Sequence, residues 1–173
     1  EVSKILVDAG PDLNAESEVG YTPLMASVVN GASKTLAEFL LSCGADPDPK
    51  IANFSLMTRA TTPLILATIH GWADIVSQLI SLGVDVNKPD GVHILAQEGE
   101  CTPLKHAIQN DRLDIAEALI AAGAKVDTAD FSGWTPLMNA SVEGQTELVS
   151  LLLKHGADPN IRIMPKGLSK EDK

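Results

Sequence analysis

Apolar residues return at the first, fifth and sixth positions of four short segments: Leu36, Leu40 and Leu41; Ile75, Leu79 and Ile80; Ile115, Leu119 and Ile120; Leu148, Leu152 and Leu153. That spacing puts three side chains on one face of an α-helix, so each segment is predicted to be a helix with one buried stripe. A glycine closes every run, at Gly44, Gly83, Gly123 and Gly156. Glycine in that place supplies the left-handed residue on which many helices end. Ahead of each run stands a polar break, at Asn30-Gly31, His70-Gly71, Asn110-Asp111 and Glu143-Gly144, and ahead of that the string Thr-Pro-Leu, beginning at Thr22, Thr62, Thr102 and Thr135.

Threonine before proline is a helix start. The hydroxyl accepts a hydrogen bond from a backbone N–H that has no helical partner, and proline at the first helical position gives up only a donor that was unpaired anyway. Five residues after the threonine stand Ser27, Ala67, Ala107 and Ala140, small enough to let neighbouring helices approach closely. The threonine lies 21 or 22 residues before the closing glycine in every unit. A fifth glycine, Gly10, closes a run with no Thr-Pro-Leu before it. The expected register is therefore an array over 1–161, with the second helix of a partial unit over 1–13 and full units starting near 14, 47, 86 and 126. A polar tail follows over 162–173. Ile5, Leu6 and Val7 then lack a partner helix, as in a piece of a longer array.

Thr-Pro-Leu, the turn between the helices, and Gly44-Ala45-Asp46, Gly83-Val84-Asp85 and Gly156-Ala157-Asp158-Pro159-Asn160 together resemble the ankyrin repeat. The resemblance runs from Glu1 to about Ile161. It implies an all-α solenoid of stacked helix-turn-helix pairs with finger loops along one edge, and a scaffold that binds another protein or peptide on its concave face rather than an enzyme. An alternative is a regulatory segment of a larger enzyme, channel, ligase or chaperone. Asn14, Asn87 and Asn160 resemble asparagines that are hydroxylated in some ankyrin proteins.

Mapping the family's exposed positions onto this chain nominates Glu18, Val19 and Tyr21; Thr61, Ile69 and His70; Cys101, Gln109 and Asn110; and Phe131, Ser132, Trp134, Val142 and Glu143. Tyr21, Phe131 and Trp134 stand out because interface energy concentrates in buried aromatics. Trp72 begins a second helix and is expected to pack. Where the family usually has histidine after Thr-Pro-Leu, this chain has Met25, Ile65, Lys105 and Met138, and Lys105 is expected to extend into solvent. Lys125 replaces a usual aspartate, and the first unit carries an extra residue near Ala32-Ser33.

The connections are unequal. From closing glycine to next threonine is 12 residues for Gly10 to Thr22 and for Gly123 to Thr135, but 18 from Gly44 to Thr62 and 19 from Gly83 to Thr102. Insertions of this kind map to loops on one face of a solenoid, often the binding face. The first long finger carries Ile51, Phe54, Leu56 and Met57 with Lys50 and Arg59; the second carries Val92, His93, Ile94 and Leu95 with Asp90, Glu98 and Glu100. Matching apolar residues and opposite charges predict that the two pack on each other, with Phe54 and Ile94 available to a partner.

Composition narrows the function. With a net charge of −10 and thirteen Lys and Arg residues mostly spread along the chain, a nucleic-acid backbone is repelled. No apolar run approaches the roughly 20 residues needed to cross a bilayer. Cys43 and Cys101 are too few for a disulfide framework, which agrees with the cytoplasm or nucleus. The expected state is a monomer without cofactor. His70, His93, His106 and His155 with the two cysteines offer no pair at the short spacing that repeats in structural zinc sites, so no metal is expected. His155 and Cys43 share the slot before the closing glycine and read as structural. His106 is expected to reach a neighbouring unit. No phosphate-binding glycine loop or nucleophile elbow is present, and the acids of Asp46-Pro47-Asp48-Pro49 read as solvated.

Overall fold

The computed structural model describes residues 12–18, 20–49, 61–90, 101–130 and 132–162. Residues 1–11 of the partial unit at the start, Val19, Phe131 and most of both long fingers, including Phe54 and Ile94, lie outside the described residues. Eight α-helices occur among the described residues, in four pairs: α1 (Pro23–Val28) with α2 (Lys34–Ser42), α3 (Pro63–His70) with α4 (Ala73–Ser81), α5 (Pro103–Gln109) with α6 (Leu113–Ala121), and α7 (Pro136–Val142) with α8 (Thr146–Lys154).

Each first helix begins as its sequence dictates. The Thr22, Thr62, Thr102 and Thr135 hydroxyls accept from the amides of Met25, Ile65, Lys105 and Met138 at 3.4, 3.1, 3.4 and 3.3 Å, with proline at the first helical position. Three of the second helices start on Trp72, Arg112 and Gln145 without a side-chain cap. The extra residue of the first unit changes that: a 3₁₀ turn over Val29–Gly31 lets Ser33 cap α2, its hydroxyl accepting from Leu36 N at 3.2 Å.

The core is one continuous layer of aliphatic side chains, with Leu24, Leu64, Leu104 and Leu137 of the Thr-Pro-Leu strings meeting Leu40, Ile75, Leu79, Ile115, Leu119, Leu148 and Leu152. Each pair packs internally and against the pairs next to it. Ala67, Ala107 and Ala140 are fully buried between successive first helices. Small side chains at these positions allow close approach, and successive first helices pack on one another, as successive second helices do. Trp72 packs against the core at the start of α4, as expected. Leu153 departs from the expected buried stripe and is 46% exposed, since it belongs to the last described pair and no following pair covers it.

Polar bonds tie the base of each finger to the next. Asn14 accepts the Asp46 amide at 2.8 Å, Asn87 accepts the Lys125 amide at 2.8 Å and donates to Gly123 O at 3.1 Å, and Asp127 accepts the Asp158 amide at 3.1 Å. Asp46, Asp85 and Asp158 also accept the amide two residues on, a local turn that Lys125 has no carboxylate to make. Asp48 is not simply solvated: it pairs with Lys88 at 2.5 Å.

Candidate partner-binding face

The fingers are built on a common closure. In the first unit, Ser17 N donates to Tyr21 O at 3.0 Å while the Ser17 hydroxyl accepts from Tyr21 N at 3.1 Å. In the last, Asp130 N donates to Trp134 O at 3.0 Å, and its carboxylate accepts from the amides of Ser132 and Trp134 at 2.8 and 3.0 Å. The third unit makes the same closure with a far longer insert: Asp90 N donates to Cys101 O at 3.1 Å, with residues 91–100 between them.

On this frame, Glu18, Ser132, Gln109, Asn110, Val142 and Glu143 are exposed, and Tyr21, Ile69, His70, Cys101 and Trp134 are half-buried. Trp134 and Val142 line one open groove with Leu137, Met138, Val149 and Leu153. Asn110 turns back on its own helix and donates to His106 O at 2.8 Å. Val19, Phe54, Ile94 and Phe131 lie outside the described residues.

Four expectations are corrected. Thr61 is buried, 8% exposed, a small side chain directly before the cap of α3, whereas Tyr21 and Trp134 in the same slot are half-buried. His70 is half-buried rather than exposed: its ring lies 5.4 Å from that of Trp72 and against Gly31 of the preceding unit. His106 has its polar partner within its own unit, Nε2 standing 3.2 Å from Asp90 Oδ2.

The fourth concerns Lys105, which is 1% exposed; its ammonium pairs with Asp130 of the next finger and lies 3.5 Å from Trp134 O. Burial pushes the Asp130 carboxyl up, but the Lys105 hydrogen bond with the Trp134 and Ser132 amides outweighs it and holds the group below the usual carboxylate range. The pair fixes the finger that carries Trp134 to the helix before it.

One cluster escaped sequence reading. Asp90, Cys101 and His106 each bring a ligand-type atom within 4.8 Å of the others. The legible signal was Cys101 and His106 five residues apart across a helix start, with an aspartate at the far end of the insertion.

Stacked, closely similar helix pairs sharing a core between neighbours, with ordered finger bases along one edge, define a helical-repeat scaffold. The chain belongs to the ankyrin-repeat family: the family model "Ankyrin repeats (3 copies)" matches residues 51–130 and 88–163, and "Ankyrin repeat" matches 19–52. It is 30% identical to alpha-latrocrustotoxin-Lt1a of Latrodectus tredecimguttatus over 87% of this chain and 10% of the toxin. It is 27% identical to the B-cell lymphoma 3 protein homolog of Mus musculus over 94% of this chain and 34% of that protein. To the RelA-associated inhibitor of Mus musculus it is 37% identical over 55% of this chain and 11% of the inhibitor. The chain thus spans between about a tenth and a third of these relatives. Ankyrin repeats are in general protein-interaction modules. No helix among the described residues is long and apolar enough to cross a membrane.

Proposed function

We propose that this array binds a partner protein or peptide along its inner edge, through the finger tips and the exposed ends of the first helices. The observation that carries the reading is Val142, an apolar side chain 67% exposed at the end of α7, beside exposed Glu143 and in one groove with Trp134. The groove lies on the last described pair, with Leu153 46% exposed in the same lining, and it is the contiguity of these apolar side chains that fits a contact surface. The finger closures support the reading, because a surface ordered before binding loses little entropy on association. A relative named as a RelA-associated inhibitor agrees with an inhibitory role exerted by contact. That the three relatives are much longer than this chain favours a second reading, a recognition segment within a larger protein.

The test is affinity capture with the whole chain followed by mass spectrometry, repeated with Val142→Asp, Gln109→Ala and Trp134→Ala. Val142 and Gln109 are exposed, so circular dichroism should be unchanged while captured partners disappear. Undiminished capture by all three variants would place the binding surface elsewhere.

A further inference from the structure

We propose that Asp90, Cys101 and His106 bind a divalent transition-metal ion of the zinc type at the base of the third unit's long finger. One carboxylate oxygen, the thiol sulfur and one imidazole nitrogen converge within 4.8 Å of one another. Each is placed by a separate constraint. The bond from Asp90 N to Cys101 O holds the two ends of the insertion together, and Thr102 caps α5 directly after Cys101. His106 stands one turn into α5, 9% exposed, with Nε2 already facing Asp90 Oδ2.

The chemistry fits the geometry. Thiolate, imidazole and carboxylate are the three ligand classes of zinc, at bond lengths of about 2.0–2.3 Å. A tetrahedral ion at those lengths spaces its ligand atoms roughly 3.3–3.8 Å apart; the Asp90–His106 pair already stands at 3.2 Å, and the Cys101 sulfur has at most about an ångström to close, within reach of side-chain rotation. Sulfur with nitrogen selects zinc or a similar borderline metal over magnesium or calcium. Three protein ligands leave the fourth position to water. As the metal–sulfur bond forms, the Cys101 thiol gives its proton to solvent, while His106 binds as neutral imidazole.

Comparison between units shows what the ion replaces. Asp130 occupies the Asp90 slot one unit on, and its carboxylate is neutralised by Lys105 of the preceding first helix. The residue before Asp90 that corresponds to Lys105 is Ile65, which carries no charge. Where the last unit has Trp134, this one has Cys101. Among the described residues, the half-buried Asp90 carboxylate thus faces Cys101 and His106 where Asp130 faces a lysine. An ion there ties both ends of segment 91–100 to α5. This reverses the sequence expectation of no metal and does not depend on the proposed function.

The experiment is a titration of the whole, reduced, metal-free chain with Co²⁺, read by absorbance, and with Zn²⁺, read by thermal midpoint. The expected result is a thiolate-to-cobalt charge-transfer band that Zn²⁺ abolishes by displacement, and a midpoint raised by Zn²⁺, since a ligand that binds the folded state stabilises it. Cys101→Ser should lose the band and the midpoint shift, and Cys43→Ser should keep both. His106→Gln and Asp90→Asn should each weaken Co²⁺ binding roughly tenfold or more, a reading that stands even if Cys101→Ser folds poorly. No band in the parent chain, or a band that survives Cys101→Ser and vanishes in Cys43→Ser, would overturn the proposal.

Discussion

Truncating Lys105 to alanine strands the Asp130 carboxylate with its two amide donors and no cation from α5. Breaking one side of a buried ion pair generally costs 3–5 kcal/mol, and the surviving Ser132 and Trp134 amides place this case near the lower end, at about 3 kcal/mol. The pH dependence follows from the direction of the Asp130 shift. A carboxyl held low in the folded state contributes stability that is complete above its unfolded value of about 3.9 and is lost as pH falls through the lower folded value. The gap between parent and Lys105→Ala should therefore be wide in neutral urea titrations and should narrow progressively as pH falls below about 3.9. An equal gap throughout would mean that Lys105 acts through packing and not through Asp130. The position was misread because lysine is ordinarily a surface residue. Yet the same slot holds Met25 and Ile65, both buried, and Met138, half-buried; that apolar column was the available sign of an inward-facing site.

At the scale of elements, the joints between helices test how far backbone conformation alone sets stability. Gly123 closes α6 at φ +93° with open space where a Cβ would stand. The Cβ of Gly123→Val therefore meets no neighbour, and its cost is the backbone strain of a β-branched residue at positive φ, roughly 1–2 kcal/mol. Asp111 is the converse. It sits at φ +52° in the turn that Gly31, Gly71 and Gly144 make in the other units, so Asp111→Gly should raise stability by up to about 1 kcal/mol. Chemical denaturation of the two variants ranks them directly, and a destabilised Asp111→Gly would show that the aspartate has a compensating role. Helix starts, turns and ends were legible because Thr-Pro-Leu and glycine act on the backbone locally. The face was less so. Tyr21, Thr61, Cys101 and Trp134 share one slot, and what each does depends on side-chain length and on neighbours that no local motif records. Thr61 is buried, the Tyr21 and Trp134 rings are half-buried, and Cys101 meets Asp90 and His106 only through folding.

The whole molecule is a one-dimensional stack in which each unit is held by its neighbours, so a change confined to a finger tip should leave the stack intact. The long fingers allow that separation. Their excess of 6 and 7 residues over the 12-residue connection adds only about 0.4 kcal/mol of closure entropy to each loop, so removing it should not destabilise the array. In the third unit the cut is defined by the closure itself: three residues between Asp90 and Cys101, as Phe131-Ser132-Gly133 stand between Asp130 and Trp134, leave both ends where they are. What the insertions hold is out of keeping with passive spacers. Ile51, Phe54, Leu56 and Met57 in one, and Val92, Ile94 and Leu95 in the other, are more apolar than polar linkers tend to be. We expect the doubly shortened chain to keep its circular dichroism and cooperative unfolding while losing the partners captured by the parent. Capture unchanged by shortening would make both insertions passive and confine recognition to the inner helices and the short fingers, where Val142→Asp would then be the decisive variant.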